Sequence, residues 1–159
     1  PVDAKEISVL RCLMERFDRV SYERLLSGAG MVAIYQALAQ LAARSPEHEC
    51  PEAIYDAAID GIDALAVETV QLFCRILGSF AGNTALTVGA QGGVYIAGGI
   101  PTKILSLLEK SDFRHRFDSK GRMRRSTAET RTEAAGGPGR RRTCSRTRRL
   151  RMKRGGRVS

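Results

Sequence analysis

The sequence predicts an α/β domain that is mostly helical, and three observations carry that expectation. Apolar side chains recur at spacings of three and four through most of residues 4–118. A short apolar run, "GGVYIAGGI" at residues 92–100, lies between two glycine pairs and leads into Pro101 and another helical stretch. Charge is divided unevenly, with 13 Lys+Arg against 15 Asp+Glu in residues 1–123 and 13 against 2 in residues 124–159. The formal net charge of +9 therefore belongs to the last part of the chain. A length of 159 residues gives room for one domain with a moderate core.

Taken in order, "AKEISVLRCLMERF" at residues 4–17 sets Ile7, Leu10, Met14 and Phe17 on one helical face, which predicts a helix buried along that face. "VSYERLLSGAG" reads as a short strand through Val20, Tyr22 and Leu25, turned by Ser27, Gly28 and Gly30. Helical spacing returns over 30–43 through Val32, Tyr35, Leu38 and Leu41. Pro46 and Pro51 punctuate the next stretch, and Pro51 suits the first position of a helix over "PEAIYDAAIDG". From Gly61 to Val88, one stripe takes in Ile62, Leu65, Ala66, Thr69, Leu72, Phe73, Ile76, Leu77 and Phe80, and predicts a long buried helix. Gly89 and Gly92 end it, "GVYIAG" gives a strand, and "PTKILSLLEKS" gives a helix with Pro101 in its first turn. Helices alternating with short buried strands imply layered α/β packing. Two strands are too few for a free-standing sheet.

From Arg124 onward there is no Ile, Phe or Tyr, and Leu150, Met152 and Val158 are the only larger aliphatic or thioether side chains. Such a segment buries too little apolar surface to offset its ordering entropy, which predicts disorder over residues 124–159. Cys12, Cys50, Cys74 and Cys144 are far apart and accompany only two histidines, so no metal site is expected. Three of the four fall in apolar or helical patterns, which suits reduced, buried thiols of a cytosolic protein. Pro1 stands where an initiator Met would, and the chain reads as a piece of something longer. No signal sequence and no apolar stretch of about 18 residues is read, so neither export nor membrane insertion is expected.

Three motifs could carry chemistry. "GAGMVA" at residues 28–33 matches a dinucleotide fingerprint, but the stretch some 20 residues later is a proline-broken loop instead of the required second strand. Its glycines could still serve a phosphate or sugar at a helix N-terminus, or simply form a tight turn. Glu23 enters that bend among apolar neighbours; it could accept hydrogen bonds from sugar hydroxyls, or pair with Arg19 or Arg24 in solvent. In "GGVYIAGGI" the second pair, Gly98 and Gly99, leaves the backbone bare at the carboxyl end of a strand, where ligands of α/β sheets bind. The alternative there is a packing pair where a helix crosses the sheet. His48 and His115 lie near no nucleophile and are assigned to the surface.

"ERLLSGAGMVAIYQAL", "LFCRILGSFAGNTALTVGAQGGVYIAGGIPTKIL" and "SDFRHRFDSKGRM" resemble, in order and spacing, the C-terminal half of bacterial glucokinase, a family of the hexokinase/actin-like ATPase superfamily. The resemblance covers residues 1 to about 123 and implies part of the large domain of a ribonuclease H-like/actin-like ATPase fold. It implies ATP and Mg²⁺ as cofactors, glucose as the sugar phosphorylated at its 6-hydroxyl, a cytoplasmic enzyme and a homodimer of the full-length protein. It also places Gly98 and Gly99 against the nucleotide, with Ser27 and Gly28 as further cofactor-binding positions, and makes Glu23 a sugar ligand.

The family's Asp-Gly-Gly-Thr phosphate loop, its Asn-Asp pair holding the catalytic base and its Glu-Gly-Gly-His sugar segment would all precede Pro1. No catalytic or metal-ligating residue is therefore expected in this chain. After Met123 the family continues with an apolar strand and a helix, whereas this chain has "RRSTAETRTEAAGGPGRRRTCSRTRRLRMKRGGRVS". That run has the composition of an out-of-frame reading of GC-rich DNA. The rival reading is a remnant scaffold with a basic arm for nucleic acid, because Arg clusters neutralise phosphates.

Overall fold

The computed structural model describes residues 1–90 and 92–134. Its first helix, α1 (Ala4–Arg16), begins at Asp3, whose carboxylate accepts the N–H of Glu6 at 2.8 Å. Both of its faces carry apolar residues, so periodicity did not decide which one is buried. The core face is Glu6, Val9, Cys12 and Leu13, while the expected face is only partly covered, with Ile7 42% and Met14 62% exposed, Leu10 half-buried and Phe17 packed partly against the core. Glu6 selects the rotation. Its carboxylate accepts two hydrogen bonds from Arg116 at 3.1 and 3.0 Å.

The segment expected as a strand is a short helix, α2 (Tyr22–Leu25). Ser21 accounts for the difference, since its hydroxyl accepts the N–H of Arg24 at 3.2 Å and caps a helical turn. Next, α3 (Gly28–Leu41) buries Met31, Ile34, Tyr35 and Leu38. Then α4 (Pro51–Asp60) opens on its proline, as expected, and closes at Gly61, whose φ of 70° is left-handed. The central helix, α5 (Ala64–Val88), packs against α3 and α4. Its stripe is buried at Leu65, Ala66, Thr69, Leu72 and Phe73. At the stripe's two ends, however, Ile62 and Phe80 are exposed. Phe80 meets the Tyr22 ring instead of the core, with centroids 5.1 Å apart. Among the described residues α5 is also the one helix long and apolar enough to cross a membrane, with a mean hydropathy of 1.4. Half of that stretch is buried inside the fold, as a core helix requires.

After α5 comes β1 (Val94–Ile96), then α6 (Gly99–Lys103), α7 (Leu105–Leu108), α8 (Phe113–Asp118), a 3₁₀ turn at Gly121–Met123, α9 (Arg124–Glu129) and β2 (Thr132–Ala134). The single helix expected after Pro101 is split at Ile104, which leaves helical geometry (φ −92°, ψ 17°) and is fully buried. On α5, Gly78 and Gly82 admit the backbone of α8 so closely that added Cβ atoms would lie 2.3 and 2.4 Å from the carbonyl oxygens of Phe113 and Phe117.

Order continues past Met123, where the sequence reading set the folded boundary and began its disorder. Here β2 pairs with β1 in parallel, Val94 opposite Thr132 and Ile96 opposite Ala134. Apolar periodicity could not reveal it, because the segment is held by polar groups. The Arg114 guanidinium donates to the carbonyls of Thr127, Ala128 and Thr130 at 2.8–3.0 Å, and Thr127, Thr130 and Thr132 are buried. The expectation of disorder over residues 135–159 lies outside the described residues, as does Cys144. Cys12 and Cys74 are buried as expected, whereas Cys50 is exposed at the N-cap of α4.

Candidate functional site

Ser27 and Gly28 open α3. The Ser27 hydroxyl accepts the N–H of Gly30 at 3.0 Å and donates to the carbonyl of Arg24 at 2.8 Å, tying α2 to α3. Residues 28–30 are thus the first turn of a helix preceded by another helix, and the dinucleotide fingerprint lacks its strand. Gly30 is required by packing, since a Cβ there would lie 2.1 Å from the Arg24 carbonyl oxygen. Gly28 abuts Pro51 of α4, whose Cγ would be 3.2 Å from a Cβ at that position. The N–H groups of Gly28 and Ala29 belong to the first turn, where the helix itself supplies no acceptor. Glu23 is exposed in the first turn of α2, and among the described residues it forms no ion pair, with Arg19 and Arg24 included.

The second candidate segment stands at the carboxyl end of β1. Gly98 has φ 130°, a conformation that disfavours every side chain, and a Cβ there would meet only Pro101 Cδ at 3.8 Å. At Gly99, the first residue of α6, a Cβ would meet nothing within 4 Å. The Gly98 carbonyl accepts the Thr102 hydroxyl at 2.9 Å, which stiffens this turn. Among the described residues, therefore, none packs over the backbone at either glycine.

Between these segments lies α4. Its Pro51 touches Gly28, and one turn later the Tyr55 hydroxyl accepts a hydrogen bond from Lys103 of α6. The four residues from Pro51 to Tyr55 span a rise of about 6 Å. Glu52, Tyr55, Asp56, Ile59 and Lys103 line an open cleft of ≈ 340 Å³. The hydrogen bond to Tyr55 raises the Lys103 ammonium above its usual range. Neither Tyr55 nor Lys103 was singled out from sequence, although the four-residue spacing from Gly99 puts Lys103 on the same side of α6 as that glycine.

A second polar cluster joins α3 to the segments that precede and follow α4. Burial raises the Tyr35 phenol, as does its hydrogen bond to Asp63 at 2.8 Å. Burial also acts to raise the Asp63 carboxyl, but hydrogen bonds from Tyr35 and the Leu65 N–H, with Arg44 and His48 nearby, bring it below the usual range. His48 is partly buried 3.6 Å from Asp63, whereas His115 is exposed as expected. Among the described residues no group of three or more His, Cys, Asp or Glu side chains is placed to hold a metal ion.

A family model described as Glucokinase matches residues 1–133. The chain belongs to the glucokinase family. Glucokinase of Hahella chejuensis is 48% identical over 124 residues, a match spanning 78% of this chain and 38% of that protein. Glucokinase of Caulobacter vibrioides is 54% identical over 126 residues, spanning 77% and 38%. The crystal structure of a glucokinase from an Antarctic psychrotroph superposes with a TM-score of 0.78 at 32% identity, over 83% of this chain and 41% of that one. The chain thus spans about two fifths of the glucokinases it matches. Its α/β, mostly helical architecture is the one found in that glucokinase, as the sequence led us to expect. The match also runs ten residues past Met123, in step with α9 and β2.

Proposed function

We propose that this chain is the C-terminal part of a cytoplasmic glucokinase that transfers the γ-phosphoryl group of ATP to the 6-hydroxyl of glucose. The observation that carries the reading is the bare glycine pair Gly98–Gly99 at the carboxyl end of a parallel strand, in a chain 48% identical to a glucokinase. A flat ring or a phosphate approaches main chain closely only where no Cβ stands in the way. Glu23 contributes a carboxylate acceptor for sugar hydroxyls, and its exposure, with no ion pair among the described residues, leaves that carboxylate available to them. Ser27 and Gly28 add the open first turn of α3, whose N–H groups suit an anionic or hydroxylated ligand.

Phosphoryl transfer rests on positioning and electrostatic stabilisation, and Mg²⁺ supplies charge neutralisation across the phosphates. The residues of this chain bind and orient; the carboxylate base that takes the hydroxyl proton and the loop that holds the phosphates belong to the remainder of the family's sequence. The 159-residue chain is accordingly inactive by itself, and the complete enzyme is a homodimer.

A repaired enzyme, carrying the family's N-terminal part and C-terminal end around residues 1–134, tests this reading. Gly99→Val is the informative variant, because a side chain at Gly99 meets open space and ordinary backbone geometry, whereas Gly98→Val would also strain φ. The expected result is a raised KM for ATP with KM for glucose unchanged. Glu23→Gln should raise KM for glucose about 5- to 30-fold, as loss of a charged hydrogen bond worth roughly 1–2 kcal/mol implies. Equal effects of Gly99→Val on both substrates, or an unchanged glucose KM in Glu23→Gln, would remove that residue from its site.

A further inference from the structure

One guanidinium joins the segment after Met123 to the body of the fold. Arg114 stands on α8, which is seated against α5 at Gly78 and Gly82. Through Nε it donates to Asp118 Oδ2 at 2.8 Å, through Nη1 to the Thr130 carbonyl at 2.8 Å, and through Nη2 to the carbonyls of Thr127 and Ala128 at 3.0 Å. Those three carbonyls lie at the carboxyl end of α9, where the helix runs out of N–H donors and a cation is favoured. A planar fork reaches three separate oxygens as a single ammonium does not. Six residues are too few for a helix to hold itself, so α9 depends on this cap.

From α9 the chain runs along the loop that enters β1. The Thr130 hydroxyl donates to the Ala90 carbonyl at 3.2 Å, the Val94 N–H donates to the Arg131 carbonyl at 2.7 Å, and Thr132, Glu133 and Ala134 stand opposite Val94, Tyr95 and Ile96. Gly93 lets the two backbones meet: its φ is 134°, and a Cβ there would lie 3.3 Å from the Arg131 carbonyl oxygen. A two-stranded sheet is marginal by itself, and among the described residues β2 is the one strand beside β1. Gly98 follows the last residue of β1, Ile96, by two positions.

We infer that Arg114 is a positioning residue for the glycine pair: it caps α9, α9 delivers β2, and β2 holds β1 so that the turn at Gly98 and Gly99 keeps its place. The positioning role rests on the nucleotide reading of those glycines, whereas the coupling from Arg114 to β1 stands without it.

The coupling is tested on the 159-residue chain by limited trypsin digestion followed by mass spectrometry. Arg114→Met removes the fork and keeps an unbranched stem beside the Phe117 ring, from whose centroid the guanidinium lies 5.1 Å. Cutting after Arg131 tracks the population of the released strap and should quicken about ten- to a hundredfold, the scale of one or two hydrogen bonds to a charged group. The product ending at Arg131 should persist, because the body of the fold stays closed. Arg114→Lys should recover only part of the loss. Ala128→Pro, which breaks α9 from within while Arg114 is intact, should reproduce the faster cutting. An unchanged rate after Arg131 in Arg114→Met, or cuts after Arg11 and Arg75 that keep pace with it, would overturn the coupling. In the repaired enzyme Arg114→Met should raise KM for ATP about three- to tenfold, with kcat and KM for glucose within about twofold of the parent. Faster cutting with an unchanged KM for ATP would overturn the positioning role; the nucleotide reading then stands if Gly99→Val still raises KM for ATP and falls if it does not.

Discussion

Removing the Glu6 carboxylate should be among the most damaging single changes in this fold. Its side chain is 4% exposed and that of Arg116 8%, and the two are joined by two hydrogen bonds at 3.1 and 3.0 Å. Glu6 also accepts the Val2 N–H at 2.8 Å and lies 3.5 Å from Arg75 Nε. Glu6→Leu would leave the Arg116 guanidinium with the Ser79 hydroxyl, at 3.1 Å, as its remaining recorded partner. Stranding one member of a buried pair costs about 3–5 kcal/mol, against a total of roughly 5–15 kcal/mol for a typical domain. The double variant Glu6→Leu/Arg116→Met should recover most of that loss, because apolar replacement of a whole buried pair is often neutral or stabilising. Urea titration of the full chain, followed by circular dichroism with m-values compared, measures both. The exposed pair Lys5–Glu68 is the control: Lys5→Ala should cost under about 1 kcal/mol and less at high salt. A loss below about 1 kcal/mol for Glu6→Leu, or a double variant no better than the single, would refute this account.

Gly78→Ala and Gly82→Ala should each lose about 1–3 kcal/mol by forcing α8 away from α5, and unchanged urea midpoints would contradict the close approach. Burial pushes the Cys74 thiol up to about 12, only partly offset by Ser111. In a Cys144→Ser background at mildly alkaline pH, a thiol reagent should therefore label Cys50 and spare Cys12 and Cys74 until urea is added. Asp63, held low in the folded state, contributes stability that is present above the unfolded carboxylate range near pH 4 and lost as pH falls through its lower folded value. Tyr35, held high, contributes stability present below about pH 10 and lost as pH rises through its folded value. Replacing Asp63 by Asn should flatten part of the acid limb of a melting-temperature profile, and an unaltered limb would exclude it.

Local signals were legible where one cause dominated. Pro51 opened α4, Gly89 closed α5 and the glycine-flanked run formed β1, because caps, left-handed glycines and β-branched residues act within a few positions. The buried face of α1 was not legible, since both faces are apolar and the choice depends on Arg116, 110 residues away. Tyr22–Leu25 misled because its apolar alternation competes with the Ser21 cap. The segment Arg124–Ala134 was read as too polar to fold, yet Arg114 satisfies its carbonyls and threonines fill the space that apolar residues would occupy. As for the site, the glycine pair was found from sequence, but the Tyr55–Lys103 contact joins residues 48 apart and leaves no local trace.

The Glu6–Arg116 pairing also sets a timetable for the growing polypeptide. When α1 leaves the ribosome its carboxylate has no guanidinium from α8 to meet, because 110 residues remain to be added. At about 5–20 residues per second that interval is roughly 5–20 s, far longer than the microsecond formation of a helix. During it Glu6 has no Arg116 to meet, and α5 is synthesised before α8 can reach α1. The nascent chain therefore closes the Glu6–Arg116 contact only after the central helix has been synthesised.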